Sequence, residues 1–162
     1  MEQQPILNEH NKEEYPPMHT AEHLLNATMV KMFGCARSRN AHIERKKSKC
    51  DYQLLSCPTD IEIRQVEDKV NEIIALNLPV KKVFVAKDEA LGIEGLDLSK
   101  LPDDASETLR IVRIGDYDVC ACIGQHVDNT SEVGVFKIIS YDWNEGTLRL
   151  RFKLLNNQSW GN

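Results

Sequence analysis

Apolar residues at helical spacing mark the first regular element of the chain. From Met18 to Phe33 they recur every three or four positions, the period of one face of an α-helix. Gly34 then supplies a residue type that commonly ends a helix. The Pro16-Pro17 pair precedes this run, and because proline disrupts a helix interior, we expect the helix to begin after it. The pattern predicts a helix of roughly four turns.

A capping box predicts where the second helix begins. Thr59 is followed three residues later by Glu62, a pairing in which each side chain satisfies a backbone N–H of the other residue. Behind this start, apolar residues form a helical stripe that ends before Asn77 and Pro79. The stripe consists of Ile63, Val66, Val70, Ile73 and Ile74.

Alternating apolar and polar residues predict strands in the rest of the chain. Residues 41–55 place two such runs on either side of a basic turn, which is typical of a β-hairpin. Further runs are VKKVFVAK, LRIVRI, YDVCAC, VFKIISYDW and TLRLRFKL. The last four are joined mostly by short turns, and short connections favour antiparallel pairing.

This arrangement of elements predicts the fold class. Helices in the first half and strands concentrated in the second favour an α+β fold, with two main helices packed on an antiparallel sheet. The segment 92–107 carries glycine, proline and acidic residues, which indicates an irregular crossing. We expect a single domain over residues 18–155, preceded by a polar extension over 1–17 and followed by a tail over 156–162.

Composition and the N-terminal residues predict the cellular location of the protein. A chain of 162 residues can bury a core without metal or disulfide staples, so a bound metal is expected to serve chemistry. The N-terminal residues lack the basic and apolar parts of a secretory leader, and no stretch has the length and apolarity of a membrane span. The five cysteines are odd in number and scattered, which favours a reducing compartment. We therefore expect a cytoplasmic protein that does not enter a membrane.

Charge is unevenly distributed along the chain. The net charge of −5 argues against a protein that coats nucleic acid by electrostatics alone. Basic residues nevertheless cluster between Cys35 and Cys50, at Arg37, Arg39, Arg45, Lys46, Lys47 and Lys49. Two interpretations stay open here: a solvated hairpin tip, or a local patch that contacts phosphates.

Two pairs of metal-binding residue types stand about a hundred positions apart. His19 and His23, in the run HTAEH, are four residues apart on the predicted first helix, so their imidazoles share one face. Cys122 and His126 enclose three residues in the run CIGQH, where a strand passes into a loop. Imidazole and thiolate ligands together suit zinc better than magnesium or calcium. The four residues predict a zinc site.

A zinc peptidase is one interpretation of HTAEH. In the H-x-x-E-H motif two histidines bind zinc and the glutamate, here Glu22, activates water. This interpretation needs a further carboxylate ligand, for which Glu67 and Glu72 on the second helix are the nearest candidates. It also leaves CIGQH without a role, and we therefore favour another explanation.

The chain resembles the editing domain shared by alanyl- and threonyl-tRNA synthetases. The resemblance rests on HTAEHLLNATM, VEDKVNEIIALNLPV and LRIVRIGDYDVCACIGQHVDNTSEVGVFKIIS, in that order, and extends from about Met18 to about Leu154. At this length, with no synthetase catalytic domain attached, the chain is most similar to free-standing alanyl-tRNA editing proteins of the AlaX type. The H-x-x-x-H and C-x-x-x-H pairs are the metal motifs of that family.

This resemblance implies trans-editing, the hydrolysis of the ester that joins a wrong amino acid to the 3′ end of a tRNA. The implied substrate is seryl-tRNA(Ala), the tRNA for alanine carrying serine, or glycyl-tRNA(Ala). The implied zinc ligands are His19, His23, Cys122 and His126, in a pocket between the first helix and the sheet. A zinc-bound water is the implied catalyst, no side-chain base is assigned, and the acceptor end of tRNA is the implied partner, with the basic patch as a candidate contact.

The chain also departs from the family pattern. Ile123, Gly124 and Gln125 replace the usual two glycines and threonine between the last Cys and His, which affects the expected amino-acid specificity. Cys120 shares a strand face with Cys122 and is an alternative ligand. We expect His126 to be the looser ligand, because it lies on a loop. A metal- or tRNA-binding module of the same fold without hydrolysis is the alternative function.

Overall fold

The computed structural model describes residues 15–94, Leu96 and 107–155. The two main helices are α1 (Pro16–Phe33) and α2 (Asp60–Ala75), with a short α3 (Lys87–Ala90). The strands are β1 (Asn40–His42), β2 (Ser48–Gln53), β3 (Val80–Ala86), β4 (Thr108–Ile114), β5 (Asp118–Ala121), β6 (Val135–Asn144) and β7 (Thr147–Leu155). A single 3-10 turn over Thr130–Val133 precedes β6. Three predicted segments lie largely outside the described residues. They are the polar extension over 1–17, of which residues 1–14 are not described, the tail over 156–162, and most of the crossing over 92–107.

The strands form two antiparallel sheets. One has four strands in the order β1-β2-β7-β6, and the other has three strands in the order β3-β4-β5. The predicted hairpin over 41–55 is confirmed as the β1-β2 pair, in which Ala41 faces Cys50. The α+β class is therefore confirmed, and the predicted antiparallel strands divide between two sheets.

The first helix begins earlier than the sequence predicts. Pro16 and Pro17 form its first turn, where a proline removes no intrahelical hydrogen bond and its fixed φ suits the helix. The expectation that the helix begins after them was therefore wrong. The predicted end is confirmed, because Gly34 adopts the left-handed conformation with φ of 69° and its N–H donates to the carbonyl of Val30.

α1 is buried on nearly all sides. It packs against α2, against β5 and against the 3-10 turn, and residues 16–21 and 23–29 are buried. Its apolar side chains join one core with residues of both sheets, including Phe152 on β7 and Ile114 on β4. Buried polar side chains cost free energy unless they have hydrogen-bond partners. The buried polar residues of α1 are His19, Thr20, His23, Asn26 and Thr28.

α2 covers the other side of α1. Its capping box is confirmed, with the Thr59 hydroxyl accepting from the Glu62 N–H and the Glu62 carboxylate accepting from the Thr59 N–H. All five residues of the predicted apolar stripe are buried. None of the helices in the described part of the chain has the length and apolarity required to cross a membrane.

A buried ion pair ties β2 to β7 within the four-stranded sheet. Asp51 accepts hydrogen bonds from Arg149 Nε at 2.8 Å and from Arg149 Nη2 at 2.9 Å. Asn40 on β1 donates to the same carboxylate at 2.9 Å. These hydrogen bonds, with the charge of Arg149, lower the pKa of Asp51 in spite of its partial burial.

Candidate metal centre

Four side chains predicted as metal ligands meet in one buried group. His19, His23, Cys122 and His126 each offer one nitrogen or sulfur atom, and these atoms all lie within 4.8 Å of one another. The ring centres of the three histidines are 4.4 to 5.0 Å apart. The group lies between α1 and the end of β5, as expected for a pocket between the first helix and the sheet.

Hydrogen bonding to Gln125 fixes the orientation of His19. Its Nδ1 lies 3.2 Å from the backbone carbonyl oxygen of Gln125, and because a carbonyl can only accept, Nδ1 carries the hydrogen. Nε2 then presents its lone pair towards the group, 3.6 Å from the Cys122 Sγ. A histidine held in this way by its second nitrogen is the usual arrangement at a metal site.

His23 contacts a buried ion pair through its Nδ1 atom. Nδ1 lies 3.4 Å from Oδ2 of Asp118 and 3.3 Å from Nη2 of Arg37. Arg37 in turn donates to Asp118 Oδ1 at 2.6 Å and to Oδ2 at 3.3 Å. Burial alone would raise the pKa of Asp118, but His23 and Arg37 outweigh it and lower that pKa. His23 shows the converse, because nearby Cys120 and Asp118 raise its pKa well above the usual value against the effect of burial.

The Cys122 sulfur is held in a backbone cradle. The N–H of Gly124 donates to Sγ at 3.4 Å, and the N–H of Cys122 donates to the Arg110 carbonyl at 3.0 Å. The Arg110 side chain donates to the carbonyl oxygens of Cys122 and Gly124, which clamps this turn onto β4. Burial alone would raise the pKa of the thiol, but the neighbouring imidazoles lower it to about 2. The side chain is therefore a thiolate, the form that binds metals.

His126 supplies the observation that tests whether a metal fits. Both ring nitrogens are buried, and neither has a hydrogen-bond partner among the described residues. A buried polar atom without a partner costs free energy, and a metal ion is one group that would satisfy it. Burial, together with the electrostatic effect of the neighbouring histidines, lowers the His126 pKa to about 4, so this imidazole is neutral and can donate a lone pair. The four side chains therefore fit a metal ion.

The loop that carries His126 is anchored at several points. The Val127 N–H donates to the Thr20 hydroxyl on α1 at 3.1 Å, and the Val80 N–H donates to the Asp128 carbonyl at 2.9 Å. Thr130 accepts from the Leu78 N–H at 2.9 Å and donates to the Ile74 carbonyl at 3.0 Å. The expectation of a looser His126 assumed a loosely held loop, whereas the structure holds this loop on both sides.

The alternative ligands considered from the sequence lie elsewhere. The four-residue group includes Cys122 and does not include Cys120, which lies near His23. Glu67 accepts from the Ile138 N–H at 2.7 Å, and Glu72 pairs with Lys69 at 2.8 Å on the surface of α2. These two carboxylates are therefore occupied away from the histidines, which argues against the peptidase interpretation.

Glu22 lies beside the group without belonging to it. Its Oε1 is 3.6 Å from Nε2 of His19, and its side chain is 16% exposed. Because α1 begins at Pro16, Glu22 lies in the second turn of the helix and not in the first, where the helix dipole favours an acid.

The six basic residues of the predicted patch do not share one environment. Arg37 is turned inward onto Asp118 and is 14% exposed. Arg39, Arg45, Lys46 and Lys47 are exposed around the β1-β2 hairpin, and Lys49 is half-buried. Arg45 lies over the ring of Tyr15, with 4.3 Å between its guanidinium carbon and the ring centre.

Sequence reasoning missed the residues that support the predicted ligands. Asp118 holds His23, Arg110 holds the turn after Cys122, and Thr20 holds the loop of His126. One signal was available, because Asp118, Cys120 and Cys122 alternate along a strand and so share one face. Arg110 and Thr20 gave no such signal, since their partners lie 12 and 107 residues away in the chain.

The fold and the buried group together define an α+β domain with a candidate metal centre. Comparison with known proteins adds its family. Residues 109–151 match the family described as the threonyl and alanyl tRNA synthetase second additional domain. Over these residues, which include Cys122 and His126, the chain belongs to this family.

Curated relatives of the chain are alanine–tRNA ligases. One from Caldicellulosiruptor saccharolyticus is 32% identical over 123 residues, which is 75% of this chain and 14% of that protein. One from Methanococcus vannielii is 31% identical over 148 residues, covering 90% of this chain and 17% of the relative. One from Streptococcus pneumoniae is 35% identical over 134 residues, covering 82% and 15%. The chain thus spans only a small part of the length of these relatives.

Proposed function

We propose that this chain is a zinc-dependent aminoacyl-tRNA deacylase that removes a wrong amino acid from tRNA in trans, in the cytoplasm. Seryl-tRNA(Ala) is the proposed main substrate, with glycyl-tRNA(Ala) as a second. The observation that carries the proposal is the buried group of three histidines and one cysteine, in a domain of this synthetase family. The relatives are named alanine–tRNA ligases, which supports the tRNA for alanine as the partner.

His19, His23, Cys122 and His126 would hold the zinc ion. When bound, zinc supplies a Lewis acid that polarises an ester carbonyl and lowers the pKa of water, without a serine nucleophile. The protein residues orient the site: Gln125 and Asp118 hold two of the imidazoles, and Gly124 and Arg110 hold the thiolate turn. No side-chain base is assigned, and Glu22 lies 3.6 Å from His19 without belonging to the four-residue group.

The residues between Cys122 and His126 are the proposed source of amino-acid specificity. The Gly124 N–H and the Gln125 carbonyl both contact proposed ligands, so the backbone of this turn is part of the site. Ile123 is half-buried and Gln125 is exposed at this turn. Both side chains are bulkier than the usual family residues, which supports a role in selecting the amino acid. The same substitutions support the alternative of a binding module without hydrolysis.

A panel of charged tRNAs tests the proposed reaction. We expect the zinc-loaded chain to release serine from seryl-tRNA(Ala), to release glycine from glycyl-tRNA(Ala), and to leave alanyl-tRNA(Ala) intact. Seryl-tRNA(Thr) distinguishes the alanine branch of the family from the threonine branch. Failure to release any amino acid above the spontaneous rate would refute hydrolysis, and binding of the same tRNAs would then favour the binding module.

The exposed basic residues of the β1-β2 hairpin are the proposed tRNA contact. The double substitution Lys46→Ala and Lys47→Ala should raise KM for charged tRNA and leave kcat nearly unchanged, because phosphate contacts position the tRNA without entering the chemistry. Lys81→Ala with Lys82→Ala is a matched control, since both residues are exposed on β3 of the other sheet. An equal rise in KM for both pairs would contradict a specific contact at the hairpin.

A further inference from the structure

We propose that Asp118 is a positioning residue that selects the metal-binding tautomer of His23. Its carboxylate accepts the Nδ1 hydrogen of His23 and so leaves the lone pair of Nε2 for the metal ion. The inference rests on the metal site of the proposed function and is independent of the hydrolysis.

In the neutral form of His23, which is the form that binds a metal ion, two neighbours of Nδ1 favour opposite tautomers. A guanidinium can only donate, so the contact with Arg37 Nη2 at 3.3 Å requires a lone pair on Nδ1 and leaves the hydrogen on Nε2. An ionised carboxylate can only accept, so the contact with Asp118 Oδ2 at 3.4 Å requires the hydrogen on Nδ1. Only the second arrangement leaves a lone pair on Nε2, since the contacts of Arg37 and Asp118 are with Nδ1.

Arg37 also holds the Asp118 carboxylate in place beside His23. Arg37 Nη1 donates to Oδ1 of Asp118 at 2.6 Å, which is the shortest of the three contacts that Arg37 makes with Asp118 and His23. The side chains of Asp118 and His23 are each 5% exposed, so water does not replace either partner easily. A buried carboxylate is costly unless it is paired, and this carboxylate has two partners. Both of its oxygens accept hydrogen bonds from Arg37, so the carboxylate is held as an acceptor beside His23 Nδ1.

The two helix histidines are held by acceptors of different strength. Nδ1 of His19 lies 3.2 Å from the neutral carbonyl oxygen of Gln125, whereas Nδ1 of His23 lies 3.4 Å from a carboxylate oxygen of Asp118. Hydrogen bonds to an ionised group are roughly twice as strong as neutral ones, and a carboxylate partner raises the basicity of a metal-bound imidazole. His23 is therefore the ligand whose affinity depends most on its neighbour.

Zinc affinity of Asp118 variants tests the proposal. Asp118→Ala should weaken zinc binding by about 10- to 100-fold, the usual effect of removing such a partner, because Arg37 is then free to favour the wrong tautomer. Asp118→Asn should give a smaller loss, since an amide oxygen can still accept from Nδ1. Affinity is measured by competition with a chromophoric zinc chelator, after circular dichroism shows that each variant is folded.

Asp51→Ala is the matched control. Asp51 is likewise buried and paired with two donations from an arginine, but it lies in the four-stranded sheet and its partners are Asn40 and Arg149. This variant should lose stability and keep the zinc affinity of the wild type. A purely structural role of Asp118 would instead give similar zinc affinities for both alanine variants once they are folded.

The imidazole tautomer gives a second readout that reports on His23 directly. In the zinc-loaded wild type, the ¹⁵N shifts of His23 should show a protonated Nδ1 and a coordinated Nε2. If Asp118→Ala does not fold, Asp118→Asn is the test variant. Its zinc affinity should be lower than that of the wild type, and its His23 ¹⁵N signals should be broader. Coordination of His23 through Nδ1, unchanged affinity in the folded Asp118 variants, or no zinc binding by the wild type would each overturn the proposal.

The outcomes for the inference and for the proposed function are distinguishable. Zinc binding that depends on Asp118, without release of amino acid from any tRNA, would keep the inference and remove the deacylase. Release of serine by the wild type, together with unchanged zinc affinity in the Asp118 variants, would keep the deacylase and remove the inference.

Discussion

Cys120 and Cys122 differ by two positions, and only the second has its sulfur in the four-residue group. Strand alternation places both side chains on one face, so the pattern alone left either as a ligand. The turn after β5 decides between them, because the Gly124 N–H points at the Cys122 sulfur. This contact between the Cys122 sulfur and a backbone N–H supports Cys122 over Cys120 as the proposed ligand.

Substitution of the two cysteines should separate their roles. Cys122→Ala is expected to remove a proposed ligand and to lower the bound zinc well below one ion per chain, since three imidazoles hold zinc less tightly than three imidazoles and a thiolate. Cys120→Ala should retain the zinc content of the wild type. Elemental analysis of the purified variants measures both, and equal zinc in wild type and Cys122→Ala would exclude Cys122 as a ligand.

The Asp51–Arg149 pair gives a residue-scale prediction about pH. The folded-state pKa of Asp51 is lowered, so the pair stabilises the fold above the unfolded-state pKa of about 3.9 and loses this contribution as the pH falls below it. Asp51→Asn should cost about 1–3 kcal/mol at pH 7 because it weakens hydrogen bonds to a charged group. Urea unfolding should show this difference shrinking below pH 4, whereas a constant difference down to pH 3 would contradict it.

At the scale of elements, α1 acts as a buried carrier of polar side chains. His19 and His23 on this helix belong to the candidate metal centre. The Thr20 hydroxyl accepts a hydrogen bond from the Val127 N–H in the loop of His126, and the Asn26 side chain accepts one from the Tyr52 hydroxyl on β2. The helix therefore connects the proposed centre to the 126–130 loop and to the four-stranded sheet. Its polar residues are explained by their partners on other elements.

Thr20→Val should test the link between α1 and the loop. The change keeps the volume of the side chain and leaves the buried N–H of Val127 without its acceptor, at a cost of about 1–3 kcal/mol. Because the freed loop carries His126, zinc affinity should fall as well. Tyr52→Phe is the control, since it removes a buried hydrogen bond to Asn26 on the same helix and away from the loop. Equal zinc affinity in Thr20→Val and Tyr52→Phe would contradict the link.

Local patterns predicted the elements well and their assembly less completely. The capping box of α2 and the end of α1 at Gly34 involve residues within a few positions, so the sequence displays them directly. The division of the strands into two sheets depends on pairings such as Asp51 with Arg149, which lie 98 residues apart. The start of α1 was misjudged because proline is unfavourable in a helix interior and favourable in a first turn.

For the candidate site as well, short-range patterns were visible in the sequence and long-range contacts were not. His19 and His23 share a helix face, and Cys122 and His126 share a short loop, so each pair was visible by itself. Their meeting in one zinc site was expected from their ligand chemistry and from the resemblance to a known family. The Arg37–Asp118 pair spans 81 residues and its members match no motif, so its place behind His23 needed coordinates.

At the scale of the whole molecule, the proposed centre joins distant parts of one folded unit. The residues from α1 and from the 122–126 turn are about a hundred positions apart, with the intervening chain forming α2 and parts of both sheets. The core that packs these elements consists of buried apolar residues and does not include the histidines. The domain should therefore fold without metal and be stabilised by it.

Metal removal measures this coupling. Zinc at a thousand times its dissociation constant should stabilise the folded state by about 4 kcal/mol, and each kcal/mol should raise the Tm of a domain of this size by about 3 °C. Thermal unfolding with and without a strong chelator should show such a drop with the apo form still folded at 25 °C. An unchanged Tm would argue against a bound metal, and unfolding on chelation would indicate a purely structural one.

The central claim is that the buried histidines and Cys122 form the centre of a tRNA deacylase. Its most direct test is the single-turnover release of serine from seryl-tRNA(Ala) by the zinc-loaded wild type, by Cys122→Ala and by Cys57→Ala, whose cysteine is exposed. We predict rapid release by the wild type and by Cys57→Ala, and release at the spontaneous rate by Cys122→Ala. Release by the wild type at only the spontaneous rate, or equally fast release by Cys122→Ala, would contradict the account.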